Sequence, residues 1–171
     1  MKLREYTPAD AEALAEVYRN AARNLGRQGY TEEQTRVWAL HPKDIDEFRV
    51  TLSEGLTLCA VVDDTLVAFG QLNPTDHVAY LYCGSAHARR GYASAILGTF
   101  EEQARAEGVS TLRVDSSCVA RPFFEHCGFH VIDEERPVRH GVEFLRFKME
   151  KELASKALNG TDDPLRGSPS R

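Results

Sequence analysis

Apolar residues along this chain recur with two periods, and the switches between them mark out its elements. After a short strand candidate in "KLREY", the residues Ala11, Leu14, Val17, Tyr18, Ala21 and Leu25 repeat at helical spacing. Thr7-Pro8-Ala9-Asp10 supplies that helix with a start: a capping threonine, proline at the first helical position and an acid three residues after the cap. Gly26 and Gly29 end the run. "TEEQTRVWAL" begins again with Thr31 as a cap, and "HPKDIDEFRVTLSEG" reads as a further helix. The period then drops to two. "LTLCAVV" and "TLVAFGQL" flank Asp63-Asp64 as a hairpin. In "HVAYLYC", strict alternation predicts His77, Ala79, Leu81 and Cys83 on one face, with Val78, Tyr80 and Tyr82 on the other. A second helical stripe of Ala93, Ile96, Leu97, Phe100 and Ala104 closes at Gly108. "TLRVD" is a short strand and "VARPFFEHC" a short helix ending at Gly128; "FHVID" and "VEFLRFKME" are late strands.

The predicted order is therefore β-α-α-(α)-β-β-β-α-β-α-β-β. Three consecutive strands favour antiparallel pairing, while the later β-α-β unit calls for a parallel crossover. The fold class is α/β (α+β), a mixed sheet with helices packed on it. Residues 1–150 read as one domain. The stretch 151–171 ends in a Ser-, Gly-, Pro- and Asp-rich segment expected to be a flexible tail.

Composition narrows the function classes. A net charge of −5 argues against nucleic acid or an anionic membrane as partner. The apolar runs are too short to span a bilayer, and "MKLREYTPAD" lacks the apolar region of a signal peptide. Four cysteines without a Cys-x-x-Cys pair suggest free thiols in a reducing cytoplasm. His126 and His130 are four apart, but Gly128 breaks any helix between them, so no metal is expected.

The chemistry-bearing feature is Arg89-Arg90-Gly91, set where a strand hands over to a helix. A helix N-terminus presents unpaired N–H groups and partial positive charge, which suits an anion. Neither a P-loop nor a Rossmann glycine pattern is present. What remains is the turn "AHARRGYAS", whose backbone N–H groups can cradle a phosphate. Gly91 permits close approach, Ala93 and Ser94 are small, and two arginines add charge.

That turn, its preceding strand and the segment "SSCVARPFFEHCGF" together resemble the Gcn5-related N-acetyltransferase (GNAT) family. The family's Gln/Arg-x-x-Gly-x-Gly/Ala pattern falls on Ala88 to Ala93. Its aromatic-aromatic-x-x-x-Gly-Phe close falls on Phe123 to Phe129. The resemblance covers roughly residues 2–150. It implies a mostly antiparallel central sheet with helices on both faces, and acetyl-CoA as co-substrate. It also implies a pyrophosphate on the N–H groups of Arg89, Arg90, Gly91, Tyr92, Ala93 and Ser94. The pantetheine arm would pair with the strand at Leu81, Tyr82 and Cys83 as an added strand does. Ser117 and Phe124 flank that arm in the family's arrangement.

Three positions depart from the family pattern. Ala88 replaces its Gln or Arg. Ser117 stands where Asn is frequent. Phe124 stands where many members carry the tyrosine that reprotonates the leaving thiolate, leaving Ser117, Cys118 or His126 as substitutes. A base is also required, because an alkylammonium with pKa near 10.4 is almost fully protonated at pH 7. The histone-acetylating branch places a glutamate base fourteen positions before the motif's glycine, which here is His77, with Asp76 as second candidate or orienting partner. Trp38 and Tyr30 are expected either to line the acceptor pocket or to cap the core. Glu101-Glu102 and Asp133 to Glu135 are expected to be solvated.

The implied activity is transfer of an acetyl group from acetyl-CoA to a primary amine of a small molecule or peptide, by direct attack in a ternary complex. A non-catalytic acyl-CoA-binding module is the alternative, and an interaction domain without ligand a third reading. Polyamine-like and amino-sugar amines, peptide N-termini and lysines all remain open as acceptors, as does a homodimer.

Overall fold

The computed structural model describes residues 1–155. Its first half runs β1 (Lys2–Glu5), α1 (Ala11–Asn24), α2 (Glu32–Trp38), α3 (Ile45–Leu52), β2 (Leu56–Val62), β3 (Thr65–Leu72) and β4 (His77–Cys83). Its second half runs α4 (Tyr92–Ala106), β5 (Thr111–Ser117), α5 (Arg121–His126), β6 (His130–Glu135), β7 (Val138–Arg139), β8 (Val142–Glu143) and β9 (Arg146–Glu152).

The local signals act as expected. Asp10 accepts from the Thr7 N–H at 2.8 Å while the Arg4 guanidinium grips both its oxygens at 2.7 and 2.8 Å. This ties the first strand to the start of α1. Thr31 and Gln34 form a reciprocal capping box on α2, and Asp44 accepts from Asp46 and Glu47 N–H to start α3. Asp63 and Asp64 take φ of 47° and 59°, the left-handed pair that a tight two-residue hairpin needs.

The seven-stranded sheet has the order β1-β2-β3-β4-β5-β9-β6. Only the β4–β5 neighbours are parallel, joined by α4 as a crossover helix. Two cores form on opposite faces. On one, Leu14, Tyr18, Phe48 and Leu52 of α1 and α3 pack on Cys59 and Phe69. On the other, Ile96, Leu97 and Phe100 of α4 pack on Leu58, Ala68 and Val78. Gly70 is what lets α4 lie so close: an added Cβ there would meet Ile96 at 2.8 Å and Phe100 at 2.9 Å.

Three expectations need correction. "VEFLRFKME" is not one strand: Val142–Glu143 is β8, which pairs with β7 in a separate hairpin, and β9 begins only at Arg146. The hairpin turn His140-Gly141 has φ of 49° and 74°, so the turn chemistry was present in the sequence as His-Gly. The folded domain also extends past residue 150, because β9 continues to Glu152 and Leu153 is buried. The rest of the expected tail, 156–171, lies outside the described residues. Finally, Glu101 is not solvated but pairs with Lys151 at 2.7 Å, whereas Glu135 stays at the surface, paired with Arg146 and Lys148 beside the exposed Asp133 and Glu134. Among the described residues, no helix is long and apolar enough to cross a membrane.

Candidate active site

The site begins with an irregularity in β4. On one side β4 pairs with β3 along its length, but Gln71 faces Tyr80 while Leu72 faces Val78, so Ala79 is an extra residue. This bulge resets the alternation. Val78 therefore shares a face with Leu81 and Cys83 toward α4, and Tyr80 and Tyr82 face α1. The predicted grouping of His77, Ala79, Leu81 and Cys83 on one face is overturned for that reason. On its other side β4 pairs with β5 only at His77 with Arg113 and Val78 with Val114. Beyond that point the two strands part, and Ala79 is exposed in the middle of the sheet.

A cavity of about 120 Å³ occupies the opening, walled by Leu81, Cys83, Ser117, Ala120 and Phe124. Its strand edge offers unpaired backbone groups to an extended ligand. Burial pushes the Cys83 thiol up to about 11, with Arg90 opposing, so it stays protonated at neutral pH. Phe124 is 3% exposed and packs on Phe123 and Phe129.

Past the end of β4, the chain is anchored twice: Gly84 N–H donates to Val67 O at 2.9 Å, and Ser85 N–H to Asn20 Oδ1 at 2.8 Å. The turn that follows holds Arg89 at φ 60° and Gly91 at φ 86°, immediately before α4. An added Cβ at Gly91 would enter open space. The first N–H groups of α4 have no helical partner, so they and the turn form a concave donor surface. Arg89 and Arg90 are exposed beside it. His87 leaves its Nδ1 buried with no hydrogen-bond partner among the described residues. A diphosphate with a long, thin arm that carries amide groups fits this combination of cradle and slot, as coenzyme A requires.

A larger cavity, about 530 Å³, opens on the α1 face. Its floor is aromatic: Tyr18 lies 4.4 Å from Tyr82 and 4.9 Å from His41, ring centre to ring centre. His41 Nε2 and the Tyr80 hydroxyl share a hydrogen bond of 3.0 Å. Burial, with help from Arg139 and Arg19, lowers the His41 pKa, and burial raises Tyr80 to about 12. The pair is therefore neutral at pH 7. The roof is pinned by Tyr30, whose hydroxyl donates to Leu145 O at 2.6 Å and accepts from Cys118 N–H at 3.1 Å. Gln34 donates to Glu143 O and holds the β7–β8 hairpin against α2.

The two cavities share Trp38, Val78, Ala79, Tyr82 and Asp115. At this common wall His77 Nε2 lies 3.7 Å from Asp115 Oδ2, an ion-pair distance, with side chains 28% and 33% exposed. Asp76 is turned elsewhere: its carboxylate holds Arg113 at 2.8 Å, outside both cavities. The carboxylate beside His77 is thus Asp115 rather than Asp76.

Of the expected residues, the structure brings His77, Leu81, Tyr82, Cys83, Ser117 and Phe124 around the β4–β5 opening. Arg89, Arg90, Gly91, Tyr92, Ala93 and Ser94 form the turn and helix start. Among the substitutes for the missing tyrosine, Ser117 lines the smaller cavity, where its Oγ accepts from Ala120 N–H. The Cys118 thiol is engaged with Leu145 O, and His126 is exposed away from both cavities. Trp38 lines the pocket, whereas Tyr30 supports its roof. Asp115, His41 and Arg139 went unnoticed. Asp115 showed only as a polar residue within a strand, and the parallel pairing of β5 with β4 is what brings it to His77. Arg139 did have a signal, preceding the His-Gly turn.

A β4–β5 splay following a bulge, with a donor-rich turn before the crossover helix, defines an acyl-CoA transferase type of fold. The family model of the acetyltransferase (GNAT) domain matches residues 27–153. The chain is 30% identical over 152 residues to YafP, an uncharacterized N-acetyltransferase of Escherichia coli (strain K12), covering 87% of this chain and 94% of that one. It superposes on a GCN5-related N-acetyltransferase from Rhodopseudomonas palustris with TM-score 0.86 and 30% identity, covering 89% and 95% of the two chains. The PaiA N-acetyltransferase of Thermoplasma acidophilum, solved in complex with coenzyme A, shares the fold at TM-score 0.71 and 21% identity, over 88% and 98%. The chain belongs to the GNAT acetyltransferase family.

Proposed function

We propose that the protein is an N-acetyltransferase that passes an acetyl group from acetyl-CoA to a primary amine by direct attack within a ternary complex. The observation that carries this reading is the meeting of the two cavities at Ala79 and Asp115, where strand pairing ends. The arm enters through one cavity and the amine through the other.

Each group has a role. The N–H groups of Arg89 to Ser94 hold the pyrophosphate, and the free edge of Leu81 to Cys83 pairs with the pantetheine. The backbone at the Ala79 bulge, released from the β5 ladder, supplies donors for the thioester oxygen. His77, held toward the junction beside Asp115, takes a proton from the incoming ammonium. The nitrogen lone pair then attacks the thioester carbon, a C–N bond forms and the C–S bond breaks. The thiolate leaves with its electron pair and takes up the second proton shed by the new amide nitrogen, passed through solvent with the Ser117 hydroxyl as a relay, its pKa of about 8.5 making it a tolerable leaving group.

Family membership and the coenzyme A complex of PaiA support the choice of donor. Phe124 favours a second reading, an acyl-CoA-binding module without turnover, because it removes the hydroxyl that many relatives use. The test is thiol release from acetyl-CoA across a broad amine panel. Release above the no-amine background supports transfer. Raised melting temperature with acetyl-CoA but no release from any amine favours the binding module.

A further inference from the structure

The larger cavity has the wrong charge for a simple cationic acceptor. The chain as a whole is acidic, with a net charge of −5. Yet the side chains lining this cavity include Lys43, Arg139 and Arg146, against Asp115 as the one carboxylate. Arg146 is spoken for, bound to Glu135 at 2.7 Å. Lys43 and Arg139 have no ion-pair partner among the described residues.

The two free cations are also positioned. Arg139 pairs with Val142 across the His140-Gly141 turn, so it stands at the closed end of a two-residue hairpin rather than on a loose loop. Gln34 and α2 hold that hairpin over the cavity. Its charge is felt inside: Arg139 acts on Tyr18, Tyr80 and Tyr82 by favouring the phenolate against the larger, opposite effect of burial, and on His41 by disfavouring the imidazolium. Lys43 follows His41-Pro42 on the same rim. Both cations line the larger cavity only, whereas Asp115 belongs to the wall shared with the smaller one. The cavity thus carries a carboxylate on the wall it shares with the smaller one and unpaired cations on the part of its lining that is not shared.

We infer that the acceptor is a small amine that carries its own anionic group, a carboxylate or a phosphate, bound by Arg139 and Lys43 while Asp115 and His77 face its amine. The inference rests on the transferase reading and names its substrate class. A guanidinium offers two parallel donors to either anion, and a lysine adds a point charge. The volume of about 530 Å³ lies within the ~300–1,000 Å³ of small-molecule sites, and the aromatic floor suits an apolar body between the two charged ends. Polyamines fit poorly, since their distal ammonium would meet the two cations.

The test uses matched pairs differing only in the anion: L-phenylalanine against phenethylamine, and phosphoethanolamine against ethanolamine. For the wild type, kcat/KM with acetyl-CoA is expected to favour at least one anionic member by tenfold or more, and the pair showing it tells carboxylate from phosphate. Arg139→Gln is expected to collapse that ratio at least tenfold, and Lys43→Gln to reduce it by less. Both residues are exposed, so neither substitution threatens folding, and an unchanged melting temperature checks this. A second readout needs no turnover. Trp38, the single tryptophan, lines the cavity, so binding of the same compounds reads as a change in its fluorescence. Anion-dependent binding without any acetyl transfer sinks the transferase reading and leaves the anion subsite standing. Transfer that is equal or better with the neutral amines, or a ratio insensitive to Arg139→Gln, overturns the inference and leaves the transferase reading intact. Neither binding nor transfer overturns both.

Discussion

The two sides of β4 are built in different ways. On the proposed donor side the backbone groups that would hold the ligand are nearly continuous in sequence, strand Leu81–Cys83, turn Ala88–Gly91 and the start of α4, while Ser117, Ala120 and Phe124 only wall the slot. Its cavity is narrow and its recognition groups are mainly backbone N–H and unpaired strand edge. The acceptor side draws Tyr18, Trp38 to Lys43, His77 to Tyr82, Asp115 and Arg139 to Arg146 from five separate stretches, and recognition there falls to side chains. A fixed ligand can be met by backbone geometry. A specific amine must be met by side chains, and those can vary without disturbing the sheet.

The largest effect that would break this division of labour is expected at His77. His77→Ala should lower kcat by roughly 10²–10⁴ at saturating amine and pH 7, the range for a positioned base, with little change in KM for acetyl-CoA. A kcat within twofold of wild type removes His77 from the mechanism. Gly91→Val probes the other side. A β-branched residue at φ 86° is strained, and its side chain fills the open space at the cradle. Loss of one charge-assisted contact at ~1.5–3 kcal/mol predicts KM for acetyl-CoA raised about 10- to 100-fold, read by saturation kinetics, with kcat far less affected. An unaltered KM would mean the turn does not hold the pyrophosphate.

How much of this was legible depends on where the information sits. The turn "HARRGYAS" stood out because a glycine turn opening a helix is a local feature, and Thr7, Thr31 and Gly108 placed helix ends for the same reason. "HVAYLYC" misled, because its perfect alternation concealed the extra residue at Ala79. A bulge is set by what the neighbouring strand does, and β3 lies before the motif with no mark of the shift. Asp115 could not be joined to His77 until the parallel crossover fixed β4 beside β5. Asp76 was the nearer carboxylate in sequence but the farther in space, since strand geometry turns it toward Arg113.

That correction can itself be measured. Asp115→Asn should lower kcat/KM about fivefold, the effect of a partly screened pair worth ~1 kcal/mol, and should shift the pH profile of kcat. Asp76→Asn should have the smaller effect on both. The reverse ranking would return the orienting role to Asp76.

The smallest effect on transfer is expected far from both cavities. Arg4 and the Thr7 cap hold the Asp10 carboxyl down at about 2. With an unfolded value near 3.9, the depressed folded value adds stability that is fully present above about pH 4 and is lost as pH falls toward 2. Asp10→Asn should therefore cost about 2 kcal/mol at pH 7 and flatten the acid limb of the melting curve. Its kinetics below the melting point should match wild type, and a change in acetyl-CoA KM would tie this corner to the donor side after all.

The central claim is that donor and acceptor occupy two cavities that meet at Ala79 and Asp115 and are filled at the same time. Initial velocities measured over a grid of acetyl-CoA and amine concentrations test it most directly. Double-reciprocal lines that intersect are the predicted result, as a ternary complex requires. Parallel lines, the mark of an acetylated enzyme intermediate, would contradict it.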